Sequence, residues 1–180
     1  MRVAFCCFLK FIFCLIFIAF TQEGRAQETF DADACFAIGQ SFMDKQEWDS
    51  SYYYFKKSRE LYSKKRINKY LLSTYKCGRS RLYSINIMDA VPYYEEVINS
   101  QDQLTLKAHE MQVHQHSYLD MGWMYMLDKQ YTKSNSLLND LFEILETDSS
   151  DFTLQNLIAA KSYYIYNSFQ IGEIESTAME

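Results

Sequence analysis

The chain has 180 residues, with 18 Lys and Arg against 23 Asp and Glu, a formal net charge of −5. An acidic balance is a poor match for the phosphate backbone of nucleic acid, so non-specific nucleic-acid binding is not expected. One proline and five glycines in the whole chain exclude an all-β fold, which needs turn residues at intervals of about 8–12 positions.

The amino terminus reads as an address rather than as fold. MRVAFCCFLK carries Arg2 and Lys10, FIFCLIFIAF (11–20) is an unbroken apolar run of ten, and TQEGRA ends in Ala26 with Gly24 two before it. Basic, apolar and small-residue segments in that order mark residues 1–26 as a secretory signal peptide cut after Ala26. The competing reading is an uncleaved anchor. Against it, ten residues are too few to span ~30 Å of hydrocarbon as a helix, and Lys10 would lie in the apolar layer. Cleavage leaves residues 27–180 with a net charge of −7. About 150 residues form one domain that buries ~70% of its unfolded surface. Cys6, Cys7 and Cys14 leave with the signal. Cys35 and Cys77 remain at expected core positions of neighbouring helices. Buried free thiols are the expectation; export permits a bridge, which Cα atoms more than ~7 Å apart would exclude.

The rest shows helical periodicity. Cys35, Ile38, Phe42 and Met43 make a first stripe, and Trp48, Tyr52, Phe55 and Leu61 a second. Tyr70, Leu71, Tyr75 and Cys77 follow, then Ala90, Tyr93, Tyr94, Val97 and Ile98. Leu104 to Leu127 is a long helix, Tyr131 to Leu145 the next, and Leu154 to Phe169 the last full one, with Gly172 starting a short terminal piece. That is seven helices and an eighth cut short. The breaks fall at DKQE, YSKKR, SINIMD, NSQDQ, DKQ, ETDSSD and QIG. Connections this short force neighbouring helices to pack antiparallel.

Two segments share a layout. In GQSFMDKQEWDSSYYYF, Gly39 is followed by Phe42, Trp48, Ser51 and Phe55 at plus three, nine, twelve and sixteen. In GWMYMLDKQYTKSNSLL, Gly122 is followed by Tyr125, Tyr131, Ser134 and Leu138 at the same offsets. A mid-helix glycine costs ~1 kcal/mol relative to alanine. One kept there implies close approach of a second helix, since axes pack 8–10 Å apart according to side-chain size. The small residue at plus twelve then faces the crossing, and the aromatic at plus nine folds back over the first helix. A buried Trp48 would cost ~3–5 kcal/mol on truncation to alanine.

Gly, two aromatics, a small residue and a large apolar residue at these offsets resemble the tetratricopeptide repeat, in an extended form. The resemblance implies an all-α, right-handed α-solenoid of stacked antiparallel helix pairs. It amounts to about 3.5 repeats, at roughly 34–62, 69–99, 104–146 and 152–180 of this sequence. The second unit keeps Gly78 and Ala90 twelve apart but has Arg81 where an aromatic is expected. The fourth lacks the glycine and fits only through Phe169 and Ala178. In that family ligands lie in a concave groove lined by the first helix of each pair. Carried over, the groove comprises Phe36, Gln40 and Met43, then Tyr75, Arg79 and Tyr83, then His116, Leu119 and Trp123, and finally Tyr163 and Asn167. The asparagine and lysine pattern with which some members clamp a terminal carboxylate is absent from the first three units.

Catalytic constellations are not apparent. The three histidines lie in KAHEMQVHQHSY; His109 and His114, five apart, point ~140° away from each other on a helix and cannot share a metal. His109 and His116 share a face without a third ligand, so no metal or cofactor is expected. Between Lys56 and Arg81 the net charge is +9. Lys64, Lys65, Arg66 and Lys69 fall in a turn that is either solvated or a docking patch for an acidic partner or anionic membrane face. The expected function is an exported scaffold, periplasmic or secreted, that binds a protein or peptide and is not an enzyme. The alternative is the sensor portion of a longer membrane signalling protein, a histidine kinase or transcriptional regulator. Membrane contact is expected only through an uncleaved N-terminal segment or a missing C-terminal part.

Overall fold

The computed structural model describes residues 31–62, 66–84, 86–100, 108–147 and 154–177. The signal-peptide reading therefore lies outside the described residues. Among the described residues seven α-helices follow one another: α1 (Ala32–Asp44), α2 (Trp48–Leu61), α3 (Ile67–Leu82), α4 (Val91–Ile98), α5 (Ala108–Leu127), α6 (Tyr131–Thr147) and α7 (Leu154–Thr177). A 3₁₀ turn, Ile87–Ala90, leads into α4. Among the described residues there is no strand, as the shortage of turn residues requires. Each helix packs on the next in the chain, and α3 also meets α5 and α5 meets α7. No described helix is long and apolar enough to cross a membrane.

The glycines mark the crossings. A Cβ added to Gly39 would stand 3.0 Å from the Phe55 ring, one on Gly78 2.9 Å from the Tyr94 ring, and one on Gly122 2.9 Å from Leu138. In all three units the neighbour lies sixteen residues on, so the second unit has the geometry of the other two despite its fainter pattern. Twelve residues on, Ser51 Oγ donates to the Gly39 carbonyl at 3.1 Å and Ser134 Oγ to the Gly122 carbonyl at 2.6 Å. Ala90 occupies that place in the second unit and is fully buried. A small residue there lets the second helix approach, and its hydroxyl satisfies a carbonyl that water cannot reach.

The α2–α3 seam is polar at both ends, and the α6–α7 seam is polar at one end and apolar at the other. Between α2 and α3, the hydroxyls of Ser51 and Ser80 lie 3.0 Å apart and those of Ser58 and Ser73 3.3 Å apart, all buried. Between α6 and α7, Asn167 Nδ2 donates to Ser134 Oγ at 2.7 Å, while Leu141 and Ala160 pack in one core. The main core joins Leu71, Tyr75, Tyr94, Val97, Met121, Met124 and Tyr125 from α3, α4 and α5. Outside it, Arg59 bonds Thr74 Oγ1 and Glu96, and Tyr70 Oη donates to Glu96 at 2.6 Å, tying α2, α3 and α4 together. Cys35 and Cys77 are free and fully buried. Burial pushes the Cys77 thiol up to about 12, so at neutral pH it packs as a small apolar group.

Two expectations need correction. Trp48 and Tyr131 reach forward to the next unit, Trp48 stacking on Tyr83 with centroids 4.7 Å apart and Tyr131 meeting Tyr166 edge-on at 6.1 Å. Trp48 is only half-buried, so its truncation should cost less than the core value. Arg81, in the aromatic position of the second unit, lies over the Tyr52 ring at 3.7 Å. The break at QIG does not exist, because α7 runs through Gly172 to Thr177 as one helix. Glycine stops a helix when it takes a left-handed conformation, and no described glycine does so.

Candidate functional site

Helical spacing places Asn68, Leu72, Lys76 and Arg79 along one face of α3, with Lys69 and Tyr75 beside them. Opposite, α5 contributes Gln112, Val113 and His116. These residues, with Leu71 and Val97 at the back, line a cavity of about 510 Å³. The floor is aliphatic and the walls carry three cationic side chains, Lys69, Lys76 and Arg79.

A buried acid holds one wall. Asp120 accepts hydrogen bonds from Tyr94 Oη at 3.1 Å and Tyr75 Oη at 3.3 Å, and Arg79 Nη1 lies 3.6 Å away. The Asp120 side chain is 13% exposed. Burial pushes its carboxyl up; the Arg79 charge and the two hydroxyls pull against that without reversing it. Burial works against the Arg79 charge, but Asp120 more than restores it and the net shift is upward. The Tyr75 hydroxyl also accepts from Arg79 Nη1 at 3.3 Å. Arg79 is thus fixed in place with its charge partly spent on Asp120.

Lys76 differs. Among the described residues it enters no ion pair. Burial, then the Arg79 charge, hold its pKa below the usual lysine value, and the Asp44 carboxylate offsets this only in part. A desolvated ammonium with no ion-pair partner carries an electrostatic cost that an incoming anion would reduce. His116 completes the wall: Nδ1 donates to the Gln112 carbonyl at 2.7 Å and Nε2 accepts from Asn156 Nδ2 at 2.8 Å. Both ring nitrogens are engaged. Among the described residues no group of His, Cys, Asp and Glu has the arrangement of a metal site. His114 is buried with Nε2 3.3 Å from the Ile98 carbonyl; the His109 side chain lies outside the described residues.

Of the groove residues expected from sequence, the cavity brings together Tyr75, Arg79 and His116. Tyr83, one turn beyond Arg79, is 44% exposed and stacks on Trp48. Phe36 leans edge-on against Phe55 at 5.1 Å, and Gln40 donates to Asp44 at 2.8 Å. With half-buried Met43 they sit on α1, away from the cavity. Leu119 and Asn167 are corrected outright. Leu119 is 8% exposed and belongs to the α5–α7 core, and Asn167 is wholly buried, donating to Ser134 and Asn135. Trp123 and Tyr163 are partly buried and pack against the two cores. Sequence reasoning missed Asn68, Leu72, Lys76, Gln112 and Val113. The signal was there: 68, 72, 76 and 79 are spaced three and four apart, the repeat of one helix face.

The expected basic turn is broken up. Lys64 and Lys65 lie outside the described residues, Arg66 is exposed at the start of α3, and Lys69 bonds Asp33 on α1. That hydrogen bond from Lys69, then one from Tyr62, hold the Asp33 carboxyl below its usual value. Comparison with protein-family models, with curated proteins and with solved structures gives no match to this chain.

Proposed function

We propose that this chain is an exported right-handed α-solenoid of the tetratricopeptide kind. In this reading it is a binding scaffold and not an enzyme, and it takes a peptide segment bearing an acidic side chain next to an apolar one. The observation that carries the reading is the α3–α5 cavity. Its aliphatic floor suits an apolar side chain, and desolvated Lys76 beside Arg79 suits a carboxylate. The packing of α3 on α5 and of α5 on α7 supports successive units stacked by their first helices, which is how a solenoid makes a continuous concave face. Short, charge-assisted contacts of this kind give orientation as well as affinity.

The test uses an array of decapeptides in which one position is Glu, Gln or Lys within an otherwise apolar and small-residue context, read by fluorescence anisotropy. Glu peptides should bind best, with affinity falling steeply as salt is added. Lys76→Glu should weaken that binding at least about tenfold, since it replaces attraction by repulsion. Arg79 is a poorer probe because removing it leaves Asp120 buried and unpaired. Equal binding of Glu and Gln peptides, or indifference to Lys76→Glu, would overturn the proposal.

A further inference from the structure

The outer face of α7 is apolar. Leu154, Ile158, Ile165 and Phe169 are 71%, 56%, 69% and 61% exposed. At 100° per residue they fall within about 60° of arc, opposite the face that carries the fully buried Ala160 and Asn167. They form one stripe about 22 Å long.

The seam register shows what this stripe replaces. Ser51 and Ser58 meet Ser80 and Ser73 across α2–α3, and Ser134 and Leu141 meet Asn167 and Ala160 across α6–α7. Asn167 thus stands where Ser80 stands, and Ile165 stands where Gly78 stands. In the three preceding units that place is glycine, and even a methyl group would press on the second helix. An isoleucine excludes a helix at that distance. The surface that receives a paired helix elsewhere in the fold is here built for a wider contact.

The stripe is also palindromic. Leu154 and Phe169, Ile158 and Ile165, and Lys161 and Ser162 are placed symmetrically about one point midway along it. Laid antiparallel on itself about a two-fold axis, Leu154 meets Phe169 of the other copy and Ile158 meets Ile165, while Lys161 and Ser162 flank opposite edges of the seam, each beside its own counterpart. A two-fold interface requires this self-complementarity, in which residue i meets j and j meets i. We propose that a second copy of this chain covers the stripe, through antiparallel α7–α7 packing. So short a contact lies at the weak end of specific interfaces, so the dimer forms and dissociates with concentration. The inference does not rest on the peptide-binding reading, since the stripe and the α3–α5 cavity share no residue.

Sedimentation of the purified full chain over a wide concentration range should show a monomer–dimer equilibrium. Ile165→Lys should raise the dissociation constant at least about tenfold while leaving the helical circular dichroism unchanged. Cysteine pairing tests the orientation in a background with Cys6, Cys7 and Cys14 replaced by serine, where the remaining Cys35 and Cys77 are buried. Under mild oxidation Ile158→Cys/Ile165→Cys should give a covalent dimer and neither single variant should. A monomer at every concentration would overturn the proposal and leave the stripe to another protein. A dimer unaffected by Ile165→Lys, or one cross-linked by Ile165→Cys alone, would overturn it as well.

Discussion

Tyr94 is the most constrained neighbour that any described glycine has. Its ring is fully buried and its hydroxyl is held by Asp120, so it has little freedom to yield to a methyl group on Gly78. Leu138 meets Gly122 with a rotatable methyl, and Phe55 meets Gly39 at a slightly longer distance. Gly78→Ala should therefore destabilise most. Overpacking costs typically ~1–3 kcal/mol, against ~1 kcal/mol gained in helix propensity. Gly172, with nothing within 4 Å of an added Cβ, gives the control: Gly172→Ala should stabilise by up to about 1 kcal/mol. Urea midpoints of the two variants should move in opposite directions. His114 supplies a pH dependence. Burial holds its pKa below the usual histidine value, the Ile98 carbonyl offsetting this only in part. As pH falls through about 6.5, the unfolded chain takes a proton there and the folded chain does not, so stability falls until the folded ring also titrates. Asp120 works the other way, because its raised pKa lets the folded chain take a proton first. The loss of stability between pH 7.5 and 5.5 should thus be smaller in His114→Gln than in the parent, by chemical denaturation at each pH.

At the scale of elements, the first and third units end their first helix in the same way. Glu47 N bonds Phe42 O at 2.9 Å and Gln46 N bonds Met43 O at 2.9 Å; Gln130 N bonds Tyr125 O at 2.8 Å and Lys129 N bonds Met126 O at 3.1 Å. These are paired six-to-one and five-to-two caps, closed by a residue in the left-handed region, Gln46 and Lys129, each at φ 60°. Side-chain-bearing residues pay roughly 1–2 kcal/mol to sit there. Gln46→Gly and Lys129→Gly should each raise stability by about 1 kcal/mol in thermal or urea unfolding, the opposite of glycine's usual effect. The DKQ breaks were legible because polar residues interrupt an apolar stripe, although no glycine announces the cap. QIG misleads because a glycine ends a helix only where it turns left-handed, and Gly172 does not. The groove was legible only in part. Leu119 and Asn167 carry the spacing of a groove position, but a helix packed on both sides buries more than one face, and spacing does not say which face remains open. Lys76 was passed over because charge was counted along the chain as a run rather than by helix face.

For the whole molecule, contacts join each helix to its neighbours in sequence, and also join α3 to α5 and α5 to α7. Stability in such an arrangement is a sum of unit and neighbour terms, and a unit with neighbours on both sides is held better than one at an end. The α3–α4–α5 block has the main core, the Asp120 cluster and the Arg59–Glu96 tie. By contrast, α7 has support on one side and an apolar stripe on the other. Native-state hydrogen exchange on dilute protein should therefore rank the amides of α3 and α5 slowest, with α7 opening at much lower free energy than global unfolding. The Gly78→Ala change should lower protection throughout, because it loosens the block on which both ends lean. A change confined to α7 should leave α1–α5 untouched. A single opening free energy for all helices would mean that the chain unfolds as one cooperative unit, and that the stacked-unit description misstates how its parts support one another. Raising the protein concentration adds a second axis to the same measurement. Protection that then rises in α7 alone would come from a contact made outside the chain, on the helix whose apolar stripe is exposed.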